Sequence, residues 1–256
     1  MSDDQVVRTT AEGPLWIVTL SRPKVVNAVN GLMATQLAAA INVFEEDDAL
    51  RVCIIQGEGG NFCAGMDLKG FAAGDRPFLP SGGFAGLVEL SLRKPIVAAV
   101  EGYALAGGFE IALCCDLIVA SRSAEFGLPE ARRGLVAAGG GLLRLPSLIP
   151  RALAMELALT GRSMGAEEAW RAGLLNRLVE PGRALDAARS LALEVAGNAP
   201  LAVAASKRIV KNSRTWSDLE MFACQKDLSD SVLNSADALE GARAFAEKRI
   251  PKWSGS

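Results

Sequence analysis

The chain has 256 residues and a formal net charge of −2 with both signs interspersed, so it offers no basic footprint for a nucleic acid partner. It contains no histidine, which closes Ser-His-Asp and Cys-His mechanisms, and its five cysteines (Cys53, Cys63, Cys114, Cys115 and Cys224) hold no C-x-x-C pair for zinc. Half of the residues are hydrophobic and the mean hydropathy is +0.23, yet no apolar run approaches the ~18 residues of a membrane span, so buried subunit contacts are expected instead.

An odd number of thiols reads as reduced, mostly buried cysteines, and the polar start Met1-Ser-Asp-Asp-Gln5 is unlike a signal or transit peptide. Both point to the cytoplasm. A chain of this length buries roughly three quarters of its unfolded surface and needs no disulfide staple.

Leu15–Leu20 alternates apolar and small polar residues and ends at Ser21-Arg22-Pro23, a strand running into a loop. Asn30 is a good N-cap for a helix with the stripe Met33, Leu37, Ile41 and Phe44, which stops in the acidic cluster Glu45–Asp48. Val52–Gln56 is a buried strand, followed by the turn Gly57–Gly60 and the segment Phe62–Asp67. Residues 70–93, with five glycines and prolines between Gly74 and Gly83, suggest a mobile loop plus a short helix. Pro95 introduces the strand Ile96–Val100, and Leu117–Ala120 is another.

A buried strand, a glycine turn and then a helix or second strand recur three times, which predicts an α/β core with its ligand at the strand C-ends. From Arg151 the pattern is helical: Arg151–Thr160, Gly165–Arg171, Arg183–Ala196, Leu201–Asn212 and Trp216–Leu233, interrupted by a short strand at Leu174–Val179. The boundary falls at Gly197-Asn-Ala-Pro200. Residues 1–197 form the predicted core and 198–256 a helical appendage. The stripe Leu219, Phe222, Leu228 and Val232 needs cover, from the core or from a neighbouring subunit.

Two glutamates carry the chemistry. Glu110 ends the run Gly102-Tyr-Ala-Leu-Ala-Gly107-Gly108-Phe-Glu110, and Glu130 ends Phe126-Gly-Leu-Pro-Glu130. A strand, a glycine turn and a helix opening with free N–H groups suit negative charge. Two carboxylates beside it would form an acid/base pair, with mutual repulsion driving their pKa values apart. A lone helical glutamate is more often a solvated charge, but Glu110 is flanked by Phe109, Ile111, Ala112 and Leu113, and a single charge among such neighbours is paired or functional.

Six stretches in order resemble the enoyl-CoA hydratase/isomerase (crotonase) family across nearly the whole chain: Ser21-Arg-Pro-Lys-Val-Val-Asn-Ala28, Asn61–Leu68, Gly102–Glu110, Phe126–Glu130, Leu159-Thr-Gly-Arg162 and Phe245–Arg249. The resemblance implies a crotonase-like α/β spiral of repeated β-β-α turns with a C-terminal helical appendage. It implies that the backbone N–H groups of Met66 and Gly107 bind a thioester oxygen and stabilise an enolate. It places the two catalytic glutamates on Glu110 and Glu130, one activating water and the other delivering a proton to the α-carbon. Family isomerases generally lack a carboxylate at the position of Glu110, so a hydratase is implied.

Lys24, Val26, Ala64, Asp67, Leu68 and Lys248 match regions that hold CoA, which is part of the substrate; no metal and no separate cofactor is implied. The partners implied are an acyl-CoA thioester and further copies of the chain in a trimer or dimer of trimers. Where many family hydratases have Ile-Pro-Gly-Ala-Gly-Gly, this chain has Val136-Ala-Ala-Gly-Gly-Gly141, a departure beside the position of the water. The stretch Gly161–Ala169 also looks like the carnitinyl-CoA dehydratase branch. Rival expectations are that activity, an isomerase, or a non-catalytic acyl-CoA binder.

Overall fold

A computed structural model describes residues 5–256. Two antiparallel strands, β1 (Val7–Glu12) and β2 (Leu15–Leu20), lead through a 3-10 turn at Pro23–Val25 to helix α1 (Gly31–Glu46). Asn30 caps α1 by accepting a hydrogen bond from the Met33 N–H at 3.0 Å, and the predicted stripe is buried. Next come β3 (Val52–Gly57), the short α2 (Leu68–Ala72) and a small hairpin of β4 (Phe78–Leu79) and β5 (Gly83–Phe84). Then β6 (Ile96–Val100), β7 (Tyr103–Leu105) and α3 (Gly107–Cys114) follow. They precede β8 (Leu117–Ser121), β9 (Glu125–Gly127) and a 3-10 turn at Pro129–Arg133. The remaining elements are α4 (Gly141–Leu148), α5 (Arg151–Thr160), β10 (Ser163–Gly165), α6 (Ala166–Arg171), β11 (Arg177–Val179), α7 (Ala184–Ala196), α8 (Pro200–Asn212), α9 (Met221–Leu233) and α10 (Ala236–Glu247).

The strands form two layers. The larger sheet runs β1-β2-β3-β6-β8-β11, parallel except for β1, and the smaller runs β10-β9-β7. Successive turns of a spiral place β6 beside β8 in one layer (Val97 opposite Leu117) and β7 beside β9 in the other (Tyr103 opposite Glu125). The bridge between Cys63 and Ala104 extends the second layer to the preceding turn. This is the spiral of repeated β-β-α turns that the family resemblance implied.

Strand residues alternate between two cores. Cys53, Ile55, Ala98 and Val100 face the main core, whereas Val52, Ile54, Val97 and Ala99 face α7. That helix meets them with Ala184, Ala188, Ala192 and Ala196, every fourth residue, whose small side chains let it lie close on the sheet.

Several expectations need correction. Residues 70–93 are partly built into the core, with Phe84 of β5 and the following Ala85, Leu87 and Val88 buried in it. The short helix expected there is α2, which begins before the segment and ends at Ala72. Strand β1 escaped notice because it is an edge strand, mostly exposed beyond Val7. The strand predicted at Leu174–Val179 pairs only over Arg177–Val179. One helix was not anticipated, α4, which follows three glycines and contains Pro146, and within the helical appendage α10, capped by the Ser235 hydroxyl, was not delimited. Helix α9 begins at Met221 rather than at Trp216.

Helix α8 is tied to the core by Lys207, whose ammonium pairs with Asp116 at 2.7 Å and donates to the Lys94 carbonyl at 2.7 Å. Helix α9 packs on α8 and α10 on α9. Leu228 and Val232 are half-buried by this packing, but Leu219 and Phe222 stay exposed. Among the described residues no helix is long and apolar enough to cross a membrane.

Candidate active site

The chain leaves β7 through Ala106, a non-glycine residue held at φ 51° and ψ −130°, and enters α3 at Gly107-Gly108. Such backbone is costly, and it persists where the surroundings over-determine it. Both glycines are required sterically. A Cβ on Gly107 would stand 2.4 Å from the Phe84 ring, and one on Gly108 would stand 2.1 Å from the Cys63 carbonyl oxygen. Gly65, at φ +95°, crosses so near that its own Cβ would lie 2.9 Å from the Gly107 nitrogen. Met66 and Gly107 are thereby brought to one place. Neither of their N–H groups has an acceptor among the described residues.

Both residues line a cavity of about 650 Å³, whose walls are mainly apolar, with Phe71, Phe78 and Phe84 prominent. Glu110 and Glu130 line the same cavity. Glu110 lies in the first turn of α3 and is 3% exposed. Its Oε1 accepts from the Gly141 N–H at 2.9 Å, and the Gly139 N–H also donates to the carboxylate. Burial pushes its carboxyl above the usual carboxylate range, opposed by these two N–H groups and by the Arg144 charge.

Glu130 sits in the 3-10 turn Pro129–Arg133, and its buried Oε2 has no hydrogen-bond partner among the described residues. Its carboxyl is pushed up to about 7, first by burial and also by the Glu110 charge. Mutual repulsion, the cause expected from the sequence, is the lesser one. Burial is the larger one, because the apolar walls strip water from both groups. A carboxyl that protonates near neutrality has a charge state suited to proton transfer at working pH.

A stability consequence follows. The folded protein holds the Glu130 proton to a higher pH than the unfolded chain, so this group favours folding below its unfolded pKa. That contribution is lost as pH rises through about 7. The variant Glu130→Gln removes the loss. Its melting temperature is expected to gain on the wild type between pH 5 and pH 8, and a constant difference across that range would contradict the burial of this carboxyl.

Other predicted residues are dispersed. Ala64 and Leu68 line the cavity. The Val26 carbonyl accepts from the Ala64 N–H at 2.9 Å, which fastens the 3-10 turn bearing the exposed Lys24 beside the cavity wall. Asp67 is occupied otherwise: Oδ1 caps α2 through Lys69 and Gly70, and Oδ2 pairs with Arg22 at 2.9 Å. These contacts give it a structural role. Lys248 caps α10 and lies outside the cavity lining.

Sequence reasoning missed Phe84, Arg144 and the rim arginines Arg132 and Arg133. It also read Val136–Gly141 only as a departure. Ala138 lines the cavity, while a Cβ on Gly139 would stand 2.6 Å from Glu110 Oε2. The glycine triplet was the available signal, since consecutive glycines mark close backbone approach. Among the described residues no group of His, Cys, Asp or Glu side chains could hold a metal ion.

Comparison with known proteins matches residues 10–256 to the family model described as enoyl-CoA hydratase/isomerase. A carnitinyl-CoA dehydratase of Salmonella arizonae is 48% identical, the alignment covering 97% of this chain and 98% of that protein. A crystal structure of an enoyl-CoA hydratase from Mycobacterium tuberculosis superposes with a TM-score of 0.96 at 53% identity, covering 98% of this chain and 99% of that one. A carnitinyl-CoA hydratase structure from Mycobacterium avium gives 0.78 at 40% identity, covering 98% and 99%.

Proposed function

We propose, for a chain that belongs to the enoyl-CoA hydratase/isomerase (crotonase) family, a hydro-lyase activity that adds water reversibly across the α,β-double bond of an acyl-CoA thioester. One observation carries the reading: two buried carboxyl groups and two unbonded backbone N–H groups line a single apolar cavity. The thioester oxygen accepts from the Met66 and Gly107 amides. As water adds at the β-carbon, negative charge grows on that oxygen, where fixed dipoles stabilise the enolate without reorganising. The N-terminus of α3 adds a favourable field.

The two carboxyl groups divide the proton work. Glu110, whose anion is held by the Gly139 and Gly141 amides, takes the proton from water. Glu130, protonated over a wide range below about 7, gives its proton to the α-carbon. One proton is taken up and one released, so each turnover leaves the pair's total unchanged. CoA belongs to the substrate and no other cofactor takes part. Lys24, exposed beside the Ala64 wall, is its phosphate contact.

The appendage leaves Leu219 96%, Phe245 87% and Ile250 87% exposed, large apolar side chains that a partner surface could cover. We assign this surface to assembly with further copies, as a trimer or dimer of trimers. Sedimentation as a clean monomer at micromolar concentration would sink that assignment.

A second reading, dehydration of carnitinyl-CoA, uses the same chemistry on an acyl chain carrying a trimethylammonium group, and is favoured by the dehydratase relative. Arg132 and Arg133 at the cavity rim are exposed, so their repulsion of such a cation is weak and screened. The decisive experiment follows loss of the conjugated absorbance with crotonyl-CoA, longer enoyl-CoAs and the trimethylammonium enoyl-CoA side by side. Faster turnover of the neutral chains supports hydration of ordinary enoyl-CoAs. Preference for the cation transfers the assignment to the second reading, and no turnover of any substrate refutes both.

A further inference from the structure

Arg144 lies on α4, half-buried, and forms no ion pair among the described residues. Its guanidinium is spent on backbone. Nη1 donates to the Gly139 carbonyl at 3.1 Å, and Nη2 donates to the Val88 carbonyl. These two carbonyls belong to different walls of the site. Gly139 and Gly141 are the residues whose amides hold Glu110. Val88 ends the buried segment that begins with Phe84, whose ring lies so close to Gly107 that no Cβ fits between them.

Between Gly139 and Gly141 the chain folds back over the guanidinium. Gly140 adopts φ +91°, and a Cβ there would stand 2.2 Å from Arg144 Nη1. The turn therefore needs glycine at its middle position for two reasons, its backbone conformation and the room left for Arg144. A planar fork suits this task, because two fixed donors can bind two carbonyls at once where an ammonium acts as a point charge.

We infer that Arg144 is a positioning residue: by fastening the Gly139 and Val88 carbonyls together, it holds the amides that fix the Glu110 carboxylate in its working orientation. It touches neither substrate nor reacting atoms. Its effect on turnover rests on the hydratase reading, but its effect on Glu110 does not. The charges facing Glu110 are Arg144 from α4 and Glu130 from the 3-10 turn, with Arg133 acting on Glu130. Arg144 is the one that favours the Glu110 anion directly.

The test uses Arg144→Met, Arg144→Lys and Gly140→Ala in the full chain. The Glu110 carboxyl is first titrated by NMR with glutamate labelled at the carboxyl carbon, its signal assigned by its loss in Glu110→Gln. Arg144→Met is expected to raise that titration, since an attractive charge and two well-placed amides are lost together. With enoyl-CoA, kcat should fall about 10–100-fold at nearly constant KM, because misplacement of about 1 Å costs on that order. The acid limb of the pH–rate profile should move up. Arg144→Lys should recover part of the loss, and Gly140→Ala should reproduce it with the arginine still present.

An unchanged Glu110 titration in Arg144→Met would overturn the inference, as would a fall in kcat that merely tracks a fall in melting temperature. A wild type that fails to hydrate any enoyl-CoA would refute the hydratase reading alone, and the titration would then decide the role of Arg144 by itself.

Discussion

Glu110→Gln and Glu130→Gln are each expected to lower kcat by about 10²–10⁴-fold, the usual worth of a positioned acid or base, with KM close to the wild-type value. Glutamine keeps the volume of the side chain. At Glu110 its amide oxygen can still accept from the Gly141 N–H, so the fold should survive the change. What disappears is the capacity to take or give a proton. In the proposed addition of water the two groups act as one unit, so the double variant should be hardly slower than the slower single one, far from the product of the two losses. Steady-state rates with crotonyl-CoA for the four proteins read this directly. Turnover lost only in Glu130→Gln would mean a single base at work, as an isomerase would use. Two wild-type rates would make the protein a binder of acyl-CoA.

The second large effect is expected from Gly65→Ala, which adds one carbon at the crossing of two chain segments. That carbon would stand 2.7 Å from the Ala106 Cβ and 2.9 Å from both the Gly107 nitrogen and the Leu105 carbonyl oxygen. None of these atoms is the end of a flexible side chain, so the segments must part. The backbone at φ +95° adds a further ~1–2 kcal/mol for any residue with a Cβ. Parting Gly65 from Gly107 misplaces the Met66 and Gly107 amides relative to each other. Loss of one such donor costs about 10²–10³-fold in kcat. The variant should therefore melt earlier and, where still folded, turn over at least a hundredfold more slowly, as about one misplaced donor requires. A folded Gly65→Ala protein with normal kcat would show that these amides do not bind the reacting oxygen.

Much of this architecture is local in origin and could be read along the chain. Leu15–Leu20, Val52–Gln56, Ile96–Val100 and Leu117–Ala120 are apolar runs of strand length bounded by turns. Each proved to be a strand of the main sheet, because runs of that kind bury well only between two layers. Asn30 announced the start of α1, since a side-chain oxygen can satisfy a free N–H only at a helix entrance. Gly107-Gly108 and Glu110 pointed to the candidate site, because a charge inside an apolar helix after a glycine turn has few structural uses, and Gly107 and Glu110 line the cavity.

Tertiary packing decided what depends on residues far apart. The hairpin around Phe78 and Phe84 has no periodic signature, and the rings form a wall only because the segment is pressed against Gly107. Asp67 is placed by sequence at a helix start, which it caps, but its pairing with Arg22 depends on a loop 45 residues away. Glu110 finds its hydrogen-bond donor 31 residues along the chain, and the arginine that holds the donor turn reaches on to Val88. The protonation of the two carboxyl groups was decided in the same way. Sequence placed two glutamates near one another and suggested repulsion, whereas the assembled apolar walls made desolvation the stronger force. A sequence by itself determines which segments can bury, turn and cap, because those preferences act over a few residues. Only the folded chain determines which water is excluded from a side chain, and that exclusion sets the charge state on which this chemistry depends.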